Sequence, residues 1–176
     1  MVKSARHAVA LYERRVFYRP ALWGNLEASR GHEGLNKGDR SEARPYQQVW
    51  FTGTHAIVGG SAPKARALTG QSMLWIAEGA QKAGLDINMD DLLDRAPNPV
   101  ADRHTLSQPP WLYTVAGNLL KWRKEPGHSV DLHPRADQRI KGRRDYRPRS
   151  LKNLLPDLFG DAPAPRPPHE RDEPGR

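Results

Sequence analysis

The feature that most restricts how this chain can fold is the run Val49-Trp50-Phe51, closed by Thr52-Gly53-Thr54-His55. Three consecutive bulky β-favouring residues with no polar alternation are what a strand buried on both faces requires, and strands of that kind belong to parallel sheets covered by helices. The spacing therefore predicts a strand over Tyr46 to Phe51, ended by a glycine that permits a sharp turn. After Gly59-Gly60 and a loop through Pro63, Thr69 is a candidate cap for an amphipathic helix with apolar positions Met73, Ile76, Ala77 and Ala80, and Gly84 stands where a helix would stop. Strand, glycine-rich loop and helix together make one layer of an α/β fold.

The rest of the chain is less regular. Residues 4 to 23 read as a short helix leading into an extended approach to Pro20 and Trp23. Gly24 to Pro45 is polar, has no period and reads as a long surface loop. Asp90 to Arg95 reads as a short capped turn, and Trp111 to Trp122 as an amphipathic helix interrupted by Gly117. From about residue 160 the chain is charged and rich in proline, a composition that buries too little apolar area to offset the entropy of ordering. The expected organisation is one domain over 1–160 and a disordered tail over 161–176. Only 37% of the residues are apolar, so the core is thin for 176 residues.

Composition excludes several chemistries. No cysteine is present, which removes disulfides, thiolate nucleophiles and cysteine-based metal sites. The seven histidines show no His-Glu-x-x-His or i, i+4 pairing, so no metal and no cofactor is expected. No apolar run approaches the ~20 residues of a membrane span. The formal charge of +8 is concentrated in Arg135 to Lys152, where eight Lys or Arg stand against two Asp. Such a block is either a solvated face or a phosphate-contacting patch, with anionic lipid headgroups as its candidate partner. Nucleic acid is disfavoured, because no recognition module accompanies the charge and the five tryptophans do not alternate with it.

His55 is the candidate for chemistry. A histidine just beyond the carboxyl end of a buried strand lies where open α/β sheets place their active-site crevice. There it could act as general base and then general acid, since an imidazole titrates near working pH. His133, followed by Pro134, reads as a structural turn.

The segment Val49-Trp50-Phe51-Thr52-Gly53-Thr54-His55-Ala56-Ile57-Val58-Gly59-Gly60 resembles the W-F-P-G-V-H-S-D-V-G-G-G signature of an uncharacterised α/β-hydrolase domain family that includes type VI secretion phospholipase effectors of bacteria. Upstream, His7-Ala8-Val9-Ala10-Leu11-Tyr12-Glu13-Arg14-Arg15, with Phe17, Pro20, Leu22 and Trp23, is similar to that family's H-A-L-A-L-D-E-R-R stretch and F-x-P-x-L-W continuation. Downstream, Leu68 to Ile76, Ala83-Gly84-Leu85, Leu132-His133-Pro134 and Tyr146-Arg147-Pro148 resemble further family elements in the same order. The resemblance runs from about residue 5 to about residue 152. It implies the C-terminal portion of an α/β-hydrolase-like layered fold with flanking helices, in which His55 is the catalytic histidine of a serine-type ester hydrolase.

The family's acids are replaced here by Tyr12, Ala56-Ile57 and Gly70, and its third glycine by Ser61. The carboxylate partner of His55 is therefore expected to be absent or to come from an unexpected residue. No complete G-x-S-x-G elbow is present; Gly70-Gln71-Ser72-Met73-Leu74 keeps only its first half and falls inside the expected helix. The implied function is a truncated or split lipase or esterase, inactive alone, whose partner is a separately encoded N-terminal hydrolase half. The alternative is a non-catalytic interaction or regulatory remnant that docks through the basic segment. The implied location is the cytoplasm, or outside the cell by a route that needs no signal peptide.

Overall fold

The computed structural model describes residues 2–13, 18–27, 31–61, 66–93, 131–144, 146–148 and 151–159. The helix expected over Trp111 to Trp122 and the tail beyond 160 lie outside these residues. Within them the protein is a mixed α/β structure. Strand β1 (Ala5–Ala10) pairs in parallel with β2 (Tyr46–Phe51), and α1 (His55–Val58), α2 (Arg66–Lys82), α3 (Asp90–Leu93) and α4 (Pro134–Gly142) follow. No helix among the described residues is long and apolar enough to cross a membrane.

The short helix expected after residue 4 is instead β1. Its apolar positions serve a strand because Val9 pairs with Trp50 and Ala10 with Phe51 in the register of β2. The long-range pairing partner lies about forty residues downstream, and local periodicity carries no trace of it.

The two faces of the sheet have different coverings. Val9 and Trp50 join Leu11, Leu132, Ala136, Ile140, Tyr146 and Leu151 in the main hydrophobic cluster, so α4 and the segment after it pack on that face. The opposite face carries Arg6 and Phe51, and α2 packs there. The Phe51 ring lies 5.4 Å from that of Trp75, and the Arg6 guanidinium sits 4.8 Å over the same indole while donating to the Trp75 carbonyl. A Cβ on Gly79 would come to 2.5 Å from the Arg6 side chain, so a larger residue there would require that side chain to shift. Leu132 adds an isolated parallel bridge to Trp50 on the far edge of β2.

Helix α2 begins one turn before Thr69, and its buried side is not the one its apolar residues mark. Leu68, Gln71, Ser72, Leu74 and Ala77 are buried, whereas Ile76 is 40% exposed. Polar side chains can face inward because α1 supplies an acceptor: Ser72 Oγ donates to the Val58 carbonyl at 2.7 Å. The loop after Gly24 contains no strand or helix among the described residues, as expected. It is fastened to the start of β2 by Asn36, whose amide donates to the Tyr46 carbonyl at 2.8 Å and accepts from the Tyr46 N–H at 3.0 Å.

Candidate active site

The site is built where both strands end. β1 keeps the register of β2 past its last residue: Leu11 N–H donates to the Phe51 carbonyl and Tyr12 N–H to the Gly53 carbonyl, both at 2.9 Å. That carries Glu13 alongside Thr54-His55. Gly53 makes the approach feasible, because its φ is +110° and a side chain there would meet Ile57 at 2.7 Å. The chain turns directly into α1, with His55 as its first residue.

Glu13 and His55 meet at that turn. Glu13 Oε2 lies 2.5 Å from His55 Nδ1 and accepts from the His55 backbone N–H at 3.2 Å. The carboxylate therefore grips the residue at two points. The Glu13 side chain is 3% exposed, against 39% for His55, so the acid is interior and the imidazole reaches the surface. A buried carboxylate costs several kcal/mol unless it is paired and hydrogen-bonded, and this pair supplies both. A carboxylate accepts hydrogen bonds, so the contact suits the tautomer with the ring proton on Nδ1.

His55 opens on a cavity of about 320 Å³ whose walls are mostly apolar, among them Ala8, Val9, Ala10, Pro20 and Val58, with Glu13 and Tyr18 completing it. The Tyr18 ring stacks on the imidazole, 3.9 Å between centroids and 11° from parallel.

The carboxylate partner thus comes from an unexpected residue, the second of the two outcomes anticipated. Tyr12, which occupies the aspartate position of the resembling family, packs 6.3 Å from Tyr146 on the core side. Glu13, one residue later, performs the pairing. Glu13 follows a strand that the sequence alone does not reveal, so its nearness to His55 shows only once β1 is paired with β2.

Ser72 is helical, as expected, and its hydroxyl is held by the Val58 and Thr69 carbonyls. Two further Gly-x-Ser fragments escaped the sequence reading. Ser61, in Gly59-Gly60-Ser61, donates to the Ala56 carbonyl at 3.3 Å, and Ser129, in Gly127-His128-Ser129, lies outside the described residues. Among the described residues no cluster of His, Asp and Glu could hold a metal ion.

His133 is structural. Its Nδ1 accepts from the Arg135 N–H at 3.3 Å and so caps α4, and its ring stacks 4.5 Å from Phe51. Burial, reinforced by the nearby Arg135 charge, pushes its pKa down to about 4.

The basic segment is not the uniform solvated face that its composition suggested. Arg139 is fully buried, with its guanidinium 5.1 Å from the Tyr146 ring. Arg147 gathers the carbonyls of Ile140, Arg143, Tyr146 and Leu158, fastening α4 to the chain that follows it. Lys141 pairs with Asp137 at 2.7 Å. Guanidinium groups suit such interior duties because their planar donors can satisfy several carbonyls at once.

Comparison with known proteins gives a single finding. Residues 1–79 match the family model described as T6SS, Phospholipase effector Tle1-like, catalytic domain. No curated protein and no solved structure matches the chain. The Tle1-like match spans β1, β2, α1 and most of α2, and it contains both Glu13 and His55. For the part of the chain that carries the Glu13–His55 contact, the likeness is thus to the catalytic domain of Tle1-like phospholipase effectors of the type VI secretion system.

Proposed function

We propose that this chain carries the acid–base half of a serine-type phospholipase of α/β-hydrolase kind, with His55 as general base and acid and Glu13 as the carboxylate that orients it. The observation that carries this reading is the 2.5 Å contact between Glu13 Oε2 and His55 Nδ1 at the carboxyl ends of adjacent parallel strands. In that chemistry His55 Nε2 takes the proton of an attacking serine hydroxyl and returns it to the leaving alcohol. Glu13 stabilises the imidazolium formed in between. The apolar cavity walls suit the acyl portion of a lipid ester, held against the imidazole.

The serine and the oxyanion donors come, on this reading, from a separately encoded N-terminal hydrolase half, because no complete nucleophile elbow occurs here and Ser72 is committed to helix carbonyls. On this reading the chain acts as a secreted effector. The alternative of a regulatory remnant docking through its basic segment has less support, since Arg139 and Arg147 serve the interior.

The test is hydrolysis of short-chain acyl esters and phospholipid by the purified chain. The expected outcome is no turnover above background, because losing a triad member typically removes several orders of magnitude of rate. Robust turnover abolished by Ser61→Ala, Ser72→Ala or Ser129→Ala would place the nucleophile in this chain and overturn the split-enzyme reading.

A further inference from the structure

Among the described residues, Tyr18 is the large aromatic side chain at the site that the acid–base reading does not use. It belongs to neither hydrophobic cluster, and it is 47% exposed. Its position gains nothing from core burial, yet its ring lies almost flat on His55, 3.9 Å between centroids and 11° from parallel. The imidazole beneath it is 39% exposed and is held at one edge by Glu13 through Nδ1. A hydrogen bond at one ring nitrogen fixes that atom but leaves the ring plane free to tilt about the bond. Contact across the π-face adds a restraint on that tilt.

We propose that Tyr18 is a positioning residue for His55: its ring sets the imidazole plane, while Glu13 sets the tautomer, so that Nε2 meets the cavity. The inference rests on the reading of His55 as the proton-transfer base, and it adds a second, aromatic constraint. Proton transfer needs donor and acceptor within hydrogen-bond reach and alignment, so a ring that tilts loses productive encounters even when its tautomer is correct. The restraint is a contact of the ring face, so phenylalanine should replace tyrosine in it and an aliphatic residue should not.

The experiment uses the full chain with isotope-labelled histidine and compares wild type, Tyr18→Phe, Tyr18→Leu and Glu13→Gln. In wild type and Tyr18→Phe the His55 ring protons should appear upfield, shifted by the ring current of the stacked aromatic. In Tyr18→Leu they should return to ordinary positions, and carbethoxylation of His55 by diethyl pyrocarbonate should become several-fold faster. Because Tyr18 lies outside the core, circular dichroism of the leucine variant should match wild type. If that variant fails to fold, the wild-type ring-current shift and its retention in Tyr18→Phe decide the matter alone. Absence of the shift in wild type, or equal shifts and modification rates in wild type and Tyr18→Leu, would overturn the proposal. A normal stack with the proton on Nε2 instead of Nδ1 would leave the stack standing and sink the base assignment, so the two failures are separable.

Discussion

Two histidines flank the carboxyl end of the same strand, and their surroundings differ. His55 follows β2, holds a buried carboxylate at Nδ1 and opens on a cavity. His133 lies against Phe51 of that strand from the other side, accepts a backbone N–H at Nδ1 and is kept neutral by burial. An imidazole that accepts at Nδ1 while packed on a phenylalanine caps a helix and does nothing else. One that meets an anion at Nδ1 and presents its other edge to a cavity can move protons. The residue type is shared; what sits at Nδ1 differs.

The sharpest way to break this comparison is to remove His133. His133→Ala loses both the α4 cap and the Phe51 stack, and should cost about 1–3 kcal/mol in chemical denaturation. His133→Asn, which can still cap, should recover part of it. A loss below about 0.5 kcal/mol, the ordinary range for surface substitutions, would mean the cap is idle.

The same histidine should give the protein an acid-sensitive stability. Its folded pKa of about 4 lies below the unfolded value of 6.5, so the unfolded chain takes up the proton first as pH falls. The His133 contribution is fully present above pH 6.5 and is lost progressively between 6.5 and about 4. Denaturation midpoints across that window should fall less steeply in His133→Asn than in wild type. Identical slopes would show that His133 does not titrate differently on folding.

The smallest effect on stability should come from His55→Ala. Its ring is 39% exposed, and the Glu13 carboxylate keeps the backbone N–H of residue 55. The expected loss is about 1.5 kcal/mol, the low end for a hydrogen bond to a charged group, because the alanine opens a path for water to solvate the carboxylate. A loss as large as that of His133→Ala would place His55 in the structural class and erase the contrast.

Much of β2 and its exit was legible because each signal was local: the run Val49 to Phe51, the glycine whose φ had to be positive, and the histidine after it. The helix ending near Gly84 was legible for the same reason, since glycine there adopts φ +97°. β1 was not, because Ala5 to Ala10 becomes a strand only by pairing with residues some forty positions away. The inward face of α2 was misjudged for a related reason. Gln71 and Ser72 turn inward, and nothing local indicates that the Val58 carbonyl waits for the serine hydroxyl. Glu13 shows a third kind of miss. The expected acid position holds Tyr12, whereas the contact is made by Glu13, and it is visible only when the ends of both strands stand side by side.

The central claim is that Glu13 holds the His55 proton on Nδ1 and leaves Nε2 to accept. Nitrogen-resolved NMR of labelled histidine in the full chain tests it most directly, with Glu13→Gln as comparison. Wild type should show His55 with its proton on Nδ1, in a downfield, slowly exchanging resonance that reflects the 2.5 Å contact to Glu13. Glu13→Gln should move that resonance upfield and speed its exchange. A wild-type His55 with its proton on Nε2, or a resonance indifferent to Glu13→Gln, would contradict the account.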